Sequence, residues 1–428
     1  MARVLIVSSD ILPVAGQPAT GAGLRAWGLS QGLQSHGHEV GFSVAREVAQ
    51  KYGYEGDEIR VFDPPTFDDF VGGLDPDVIV YQGWQMSLFM NEQPRGHVVI
   101  DFHGPSLLEN LFRQPDSVEQ LVRLKLERLS KADYFTCAGT KQLYYHLGWL
   151  LMAGLDLHDF PIASIPFSMS AETPEHTDWP ADPVFVCGGV FLPWTDPELG
   201  LTVLVQEMEA AGRGVLNYFG GKHPWAQLPS EERFEKFRER LTASPRVRFS
   251  PAIPRERLVR EYTGATVAWD VMARNPEREL AFTSRTVEYL WCGLPVVYND
   301  YAELSEYIAE YDAGWVVDPS DEAQIRETVR EILRRPEEAR RKGENAQRLV
   351  RERLAWEHTT KPLADYCRRP YRAQRLAERP LIRSIEEYDF SPEAMALMSR
   401  LKSKVPGGMK GLARSFAVRR EKGKTPPS

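Results

Sequence analysis

The sequence predicts an α/β protein built from two Rossmann-like domains that face each other across a cleft. Three observations carry that expectation. Short apolar, β-rich runs alternate with helical patterns from the first residues onward, and the alternation stops once, at residues 168–183, before a second series begins. The chain's 428 residues, 43% of them hydrophobic, are enough for two cores of ordinary size. Strands that are apolar on both faces belong to a parallel sheet covered by helices, and open sheets of that kind bind ligands beyond the carboxyl ends of their strands.

Residues 4–7 open the first series as a buried strand. Their apolar run is too short for a signal peptide. A helix marked by Leu24, Trp27 and Leu33 follows, then strands at 40–44, 78–81, 98–102, 134–138 and 162–167, which complete a first domain over residues 1–170. Residues 168–183 are rich in proline, acidic and hydroxyl residues and have no apolar period, so 171–183 is assigned as a linker. The second series, strands at 184–187, 215–219, 247–249, 267–269, 296–298 and 315–317, defines a second domain over 184–355 that ends in a helical run at about 321–353. Trp356 and Pro362 open another helix, near 362–378, within a segment 356–385, and 386–428 form a basic C-terminal extension. No internal repeat of solenoid or propeller period is present.

Composition narrows the function. Cys137, Cys187, Cys292 and Cys367 have neither metal-ligand nor paired spacing, which points to a reduced, cytoplasmic protein with no disulfide framework. No apolar stretch is long enough to span a bilayer. The net charge of -8 hides an asymmetry: residues 401–428 hold eight basic side chains and one acid, a tail of +7 on a body of -15. An acidic body argues against nucleic-acid partners, whereas the tail can meet anionic lipid. Within it Met409, Leu412 and Phe416 recur at helical spacing beside Lys410 and Arg414, as in a short interfacial helix. The flanking Pro406-Gly407-Gly408 and Pro426-Pro427 suit a disordered solubilising tail equally well.

The most informative stretch is 282–297, a polar helix start that runs through one acid into a Gly-Leu-Pro turn and an apolar strand. Thr283 or Ser284 can cap that helix, and its free amides with Arg285 make a phosphate seat. Glu288 stands about one turn further in, where a carboxylate can accept from a ribose diol. After the first strand, Gly21 and Gly23 mark a loop whose backbone can approach a phosphate or sugar, with Arg25 as an anion partner. An ordinary βα loop is the plainer alternative, since no third glycine completes a dinucleotide fingerprint. Gly221 and Lys222 follow a later strand and suit either a nucleotide contact or a solvated turn. His103, followed by Gly104-Pro105 at a strand's carboxyl end, is placed to hydrogen-bond a sugar hydroxyl. Asp101 and Glu109 are assigned to capping or packing of the next helix.

At residues 282–297 the chain resembles the GT-B glycosyltransferases, glycosyltransferase family 4 in particular, whose C-terminal domains carry a Glu several residues before a second Glu that precedes a Gly-x-Pro-Val-Val turn. A bacterial subset has segments similar to Gly188–Trp194, Gly221-Lys222-His223-Pro224 and Arg285–Trp291. The resemblance implies a GT-B fold whose late helix crosses back to the N-terminal domain. It also implies a retaining, metal-independent hexosyltransferase that moves a sugar from a nucleotide diphosphate donor to a carbohydrate or lipid-linked acceptor, in cell-surface polysaccharide or glycoconjugate synthesis. No cofactor is implied, and UDP, GDP, ADP and dTDP stay open. His103 matches a family strand-end His, and one of Glu277 and Glu279, with Glu279 preferred, is expected at the donor sugar. His103, Arg285 and Glu279 are therefore the expected catalytic residues; Gly21, Gly23, Arg25, Gly221, Lys222, Thr283, Ser284 and Glu288 are the expected donor contacts. The chain departs from the family in two respects: Leu280 stands eight residues before Glu288, where the family spacing would put the first acid, and no Lys or Arg lies between the linker and Arg213, which suggests that Arg285, the helix start and Lys222 replace the usual diphosphate clamp. A sugar-nucleotide epimerase, a glycoside phosphorylase or a non-catalytic binding protein shares the same architecture.

Overall fold

The computed structural model describes residues 1–8, 10, 12–13, 16–54, 59–222, 228–377 and 380–381. His223, Pro224 and the whole basic extension, including 409–420, lie outside the described residues. Seven parallel strands form the first sheet: β1 Arg3–Val7, β2 Glu39–Ala45, β3 Ile59–Phe62, β4 Val78–Gln82, β5 His97–Phe102, β6 Tyr134–Cys137 and β7 Ile162–Ser164, in the order β3-β2-β1-β4-β5-β6-β7. Six form the second: β8 Val184–Val190, β9 Val215–Gly221, β10 Val247–Ser250, β11 Val267–Asp270, β12 Val296–Asn299 and β13 Gly314–Val317, in the order β10-β9-β8-β11-β12-β13. The strand order turns back between β1 and β4 and again between β8 and β11. Those are the switch points at which an open α/β sheet leaves a crevice.

Each sheet is covered on both faces, as its doubly apolar strands require. Val4, Ile6, Val78, Val80 and Val99 pack on one side of the first sheet and Leu5, Val7, Ile79, Tyr81 and Ile100 on the other. The second sheet is built the same way, and one of its cores continues into the N-terminal lobe through Leu24, Ala138 and Phe167, which join Phe282 and Val287. Burying one such large apolar side chain contributes about 1.5–3 kcal/mol.

Three expectations change in detail. Strand β3 was not foreseen. The helical run 321–353 is two helices, Glu322–Arg334 and Glu337–Arg353, separated at Pro336. The late helix is shorter than 362–378: Trp356–Thr359 and Lys361–Arg368 lie against the helix Gly21–Ser35, with Leu363, Ala364 and Cys367 in the N-terminal core. The chain still crosses back, since Arg372 bonds Asp133 at 2.8 Å and Arg375 pairs with Leu155. Residues 171–183 are irregular backbone, pinned by Trp291 Nε1 to Glu172 O at 3.1 Å and Gln347 Nε2 to Pro174 O at 2.7 Å. Among the described residues no helix is long and apolar enough to cross a membrane.

Candidate active site in the cleft

The two switch points open onto one cavity of about 370 Å³ between the lobes. Its C-terminal wall starts at the end of β8. Gly189 has a φ of +103°, and a Cβ there would lie 2.8 Å from Arg285 Nη1, so glycine both makes the turn and admits the guanidinium. Arg285 Nη1 donates to Gly188 O at 2.7 Å, and its Nε lies 3.2 Å from Asp270 Oδ1 at the end of β11. Burial disfavours the guanidinium's charge, but Asp270 together with Tyr289, Cys187 and Tyr218 more than offsets it and holds Arg285 above the ordinary range. Asp270 also accepts from Thr286 Oγ1, and Tyr289 Oη accepts from Gly188 N at 2.9 Å. Helix Ser284–Trp291 is thereby locked to both strand ends.

Thr283 is the N-cap residue, but its hydroxyl makes no capping bond; it pairs with Thr286 Oγ1 and Tyr298 Oη, each at 2.8 Å. Among the described residues the first-turn amides have no side-chain acceptor. Ser284 lines the cavity and lies against Gly21, which begins helix Gly21–Ser35 in the other lobe. Glu288 is buried on the cavity wall and receives Arg255 Nε at 2.9 Å. Arg255 was not anticipated, because it belongs to a separate helix 33 residues upstream; its own amide donates across the cleft to Gln17 O at 3.1 Å.

The preference for Glu279 is corrected. Glu279 points outward, paired with Arg274 at 2.8 Å, which lowers its pKa. Glu277 lines the cavity instead, 2% exposed, with its two oxygens on Arg278 at 2.5 and 2.8 Å. Asn275 caps this short helix by accepting from Glu277 N and Arg278 N, which fixes which face turns inward.

On the N-terminal wall Arg25 is not a free anion partner. It is 3% exposed, with Nε and Nη2 on Asp101 at 2.7 and 2.6 Å and Nη1 on Ile165 O at 2.9 Å. Asp101 is likewise no cap; it is the counter-charge of Arg25 and accepts from Thr136 at 2.5 Å. Gly23 is buried and gives its amide to Thr20 Oγ1 at 3.1 Å, so it serves the helix's N-terminal cap and does not line the cleft. Gly220 lines the cleft where Gly221 was expected; Gly221 turns against the Phe234 ring. Lys222 reaches the rim but is tied to Glu235 at 2.7 Å. His103 follows β5 and is reached by solvent inside the cleft, where the surrounding protein lowers its pKa. Beside it stand Glu109, assigned from sequence to helix packing, and Arg113, whose guanidinium lies 4.7 Å from the Trp194 ring centre. Among the described residues no three His, Cys, Asp or Glu side chains gather into a metal-holding group.

Among the described residues the cavity thus offers cations set at strand and helix ends, carboxyls from both lobes and one imidazole. Aimed amides and a fixed guanidinium can stabilise negative charge that develops in a reaction. Residues 181–349 match the model of the family described as glycosyl transferases group 1. No curated protein sequence gives a significant match. Among solved structures, the chain is similar to sucrose-phosphate synthase from Thermosynechococcus elongatus, at 18% identity and a TM-score of 0.67, over 86% of this chain and 98% of that one. It is also similar to S. aureus TarM, solved with fondaparinux, alpha-GlcNAc-glycerol and UDP, at 8% identity and a TM-score of 0.62, over 86% and 100% of the two chains. Anabaena HepE, solved with UDP and glucose, aligns at 12% identity and a TM-score of 0.61, again over 86% and 100%. At these identities the likeness is one of fold, and that fold is GT-B: two Rossmann-like domains about a cleft.

Proposed function

We propose that the protein is a glycosyltransferase that moves a sugar from a nucleotide diphosphate donor to a carbohydrate or lipid-linked acceptor, with retention and without a metal or other cofactor. Synthesis of cell-surface polysaccharide or glycoconjugate in the cytoplasm is the role that suits it. The observation that carries this reading is the placement of Arg285 and the first-turn amides of its helix at the β8/β11 switch point, with Glu288 one turn further along the same helix, inside the segment that matches the family model. Breaking a glycosidic bond to a diphosphate puts charge on the leaving group. The guanidinium and amides stabilise that charge, Glu288 accepts from the ribose diol, and His103 hydrogen-bonds the sugar. Arg285 is held at Nε and Nη1, so Nη2 remains for the phosphate. The UDP in the TarM and HepE structures supports a nucleoside diphosphate as ligand.

A thermal-shift series with UDP, GDP, ADP, dTDP and CDP tests the proposal. The matching nucleotide at a hundred times its dissociation constant adds about 2.7 kcal/mol of stability. Arg285→Lys should lower turnover more than donor affinity, because a point-charge ammonium cannot keep Asp270, Gly188 O and the phosphate at once. No stabilisation by any of the five, or an unchanged kcat in the variant, contradicts the assignment. The +7 tail would bring this enzyme to an anionic leaflet that carries a lipid-linked acceptor. Removing residues 404–428 should abolish salt-sensitive sedimentation with phosphatidylglycerol vesicles, and equal sedimentation of the two forms would contradict the membrane role.

A further inference from the structure

Helix Ser106–Arg113 sets Glu109 and Arg113 on the inner wall of the N-terminal lobe. Gly104, just before it, makes room for the carboxyl, since a Cβ there would lie 2.9 Å from Glu109 Oε1. From the C-terminal lobe, helix Pro276–Leu280 packs against the same helix and brings Glu277 and Arg278 to the cavity. The partners on this wall are already assigned. Glu277 has both oxygens on Arg278, and Arg113 lies over Trp194, while the Glu109 carboxyl makes no hydrogen bond or ion pair with a described residue.

We propose that Glu109, held between the lobes beside His103, grips a sugar hydroxyl as a neutral acid and takes up a proton when a nucleotide sugar enters the cleft. This rests on the reading of the cleft as a nucleotide-sugar site. A neutral carboxyl presents one O–H donor and one carbonyl acceptor, and it can therefore bond a hydroxyl in both directions. Burial, then the Glu277 charge, pushes the Glu109 pKa up to about 7, while Arg113 and Arg278 pull the other way. The remaining groups nearby do not supply a counter-charge. Burial holds the Tyr145 phenol above its ordinary value, and the surrounding cleft holds the His103 imidazole below its own. Lys125 is turned into the rings of Phe102, Tyr145 and Trp149. Asp116 is exposed behind the helix, and Glu119 and Arg123 are exposed and paired with each other.

An entering diphosphate adds negative charge and its sugar displaces water, and both raise the Glu109 pKa further. The sign follows from linkage. Between the free value near 7 and the higher value in the complex, binding takes up a proton, so affinity falls as pH rises through that window, by up to about tenfold per pH unit.

Calorimetric titration of the full chain with UDP-glucose, GDP-glucose and ADP-glucose, each against its parent diphosphate, in PIPES and in Tris near neutral pH, reads that proton directly. Greater uptake with the sugar nucleotide than with the diphosphate, lost in Glu109→Gln, places the gripped hydroxyl on the donor sugar. Equal uptake with both ligands supports the proposal only through the acceptor: diphosphate release in the presence of methyl glucoside then loses its alkaline decline in the same variant. If Glu109→Gln unfolds, Gly104→Ala, which crowds the carboxyl without removing it, must shift the uptake instead. Unchanged uptake and an unchanged pH profile overturn the role of Glu109 and leave the glycosyltransferase reading standing. Absence of binding by every nucleotide overturns that reading itself.

Discussion

Asp101 is a fully buried carboxylate that holds Arg25 at two nitrogens and Thr136 at a third contact. Asp101→Asn keeps the shape but leaves a guanidinium that is 3% exposed without its counter-charge. Breaking a buried pair from one side costs about 3–5 kcal/mol, so the urea midpoint should fall steeply. A loss below about 1 kcal/mol, the range of an exposed pair, would mean that solvent reaches Arg25. This pair also shows what a sequence withholds at the scale of one residue. A glycine-bearing loop beside Arg25 suggested an anion ligand, but its real partner is 76 residues away and leaves no local pattern. Glu277 and Glu279 make the same point. Two residues along a helix are about 200° apart, so one of the pair faces the cleft and the other faces solvent, and only the Asn275 cap decides which. By contrast, Arg285 and Glu288 were legible, because one short helix start places both.

At the scale of elements, legibility followed burial. The apolar strands of both sheets declared themselves because burial on two faces demands continuous apolar runs. Strand β3 did not, since an edge strand of four residues alternates Ile59, Arg60 and Val61 with partial exposure and resembles a loop. Helix ends were blurred where proline set them. Pro336 separates Glu322–Arg334 from Glu337–Arg353, and the crossing helix stops at Arg368 because the residue before Pro370 is pushed out of the helical region. Arg369 has the extended φ of -140° that this steric rule requires. The composition of residues 171–183 carries no information about Trp291 and Gln347, the side chains that fasten this irregular segment.

At the scale of the whole molecule, the cleft's geometry depends on how the lobes are fastened, and Glu303 is the clearest fastening between them. From helix Glu303–Tyr311 of the C-terminal lobe its carboxylate accepts from Thr140 N and Lys141 N, each at 2.9 Å, at the start of helix Thr140–Met152 in the other lobe. Lys141 Nζ returns a bond to Tyr301 O at 2.7 Å, and Gln142 Nε2 reaches Leu280 O at 3.0 Å, at the end of the helix that carries Glu277. A carboxylate at a helix start satisfies orphan amides and favours the positive end of the helix dipole, so one side chain ties a whole element of the opposite lobe. No sequence pattern announces it, because the partners are 163 and 162 residues apart and the cap comes from outside the helix's own chain segment. Glu303→Ala should cost about 1–3 kcal/mol, the penalty for leaving those amides unpaired, and should speed hydrogen exchange at residues 140–142. Glu303→Gln keeps a carbonyl acceptor for one amide and should fall between the parent and the alanine variant. If the lobes are fastened here, nucleotide affinity should drop in the same order, since Glu109 and Glu277 can face one ligand only while the two walls hold their spacing. Faster exchange at 140–142 with unaltered nucleotide affinity would show instead that Glu303 serves its partner helix alone and that other contacts set the width of the cleft.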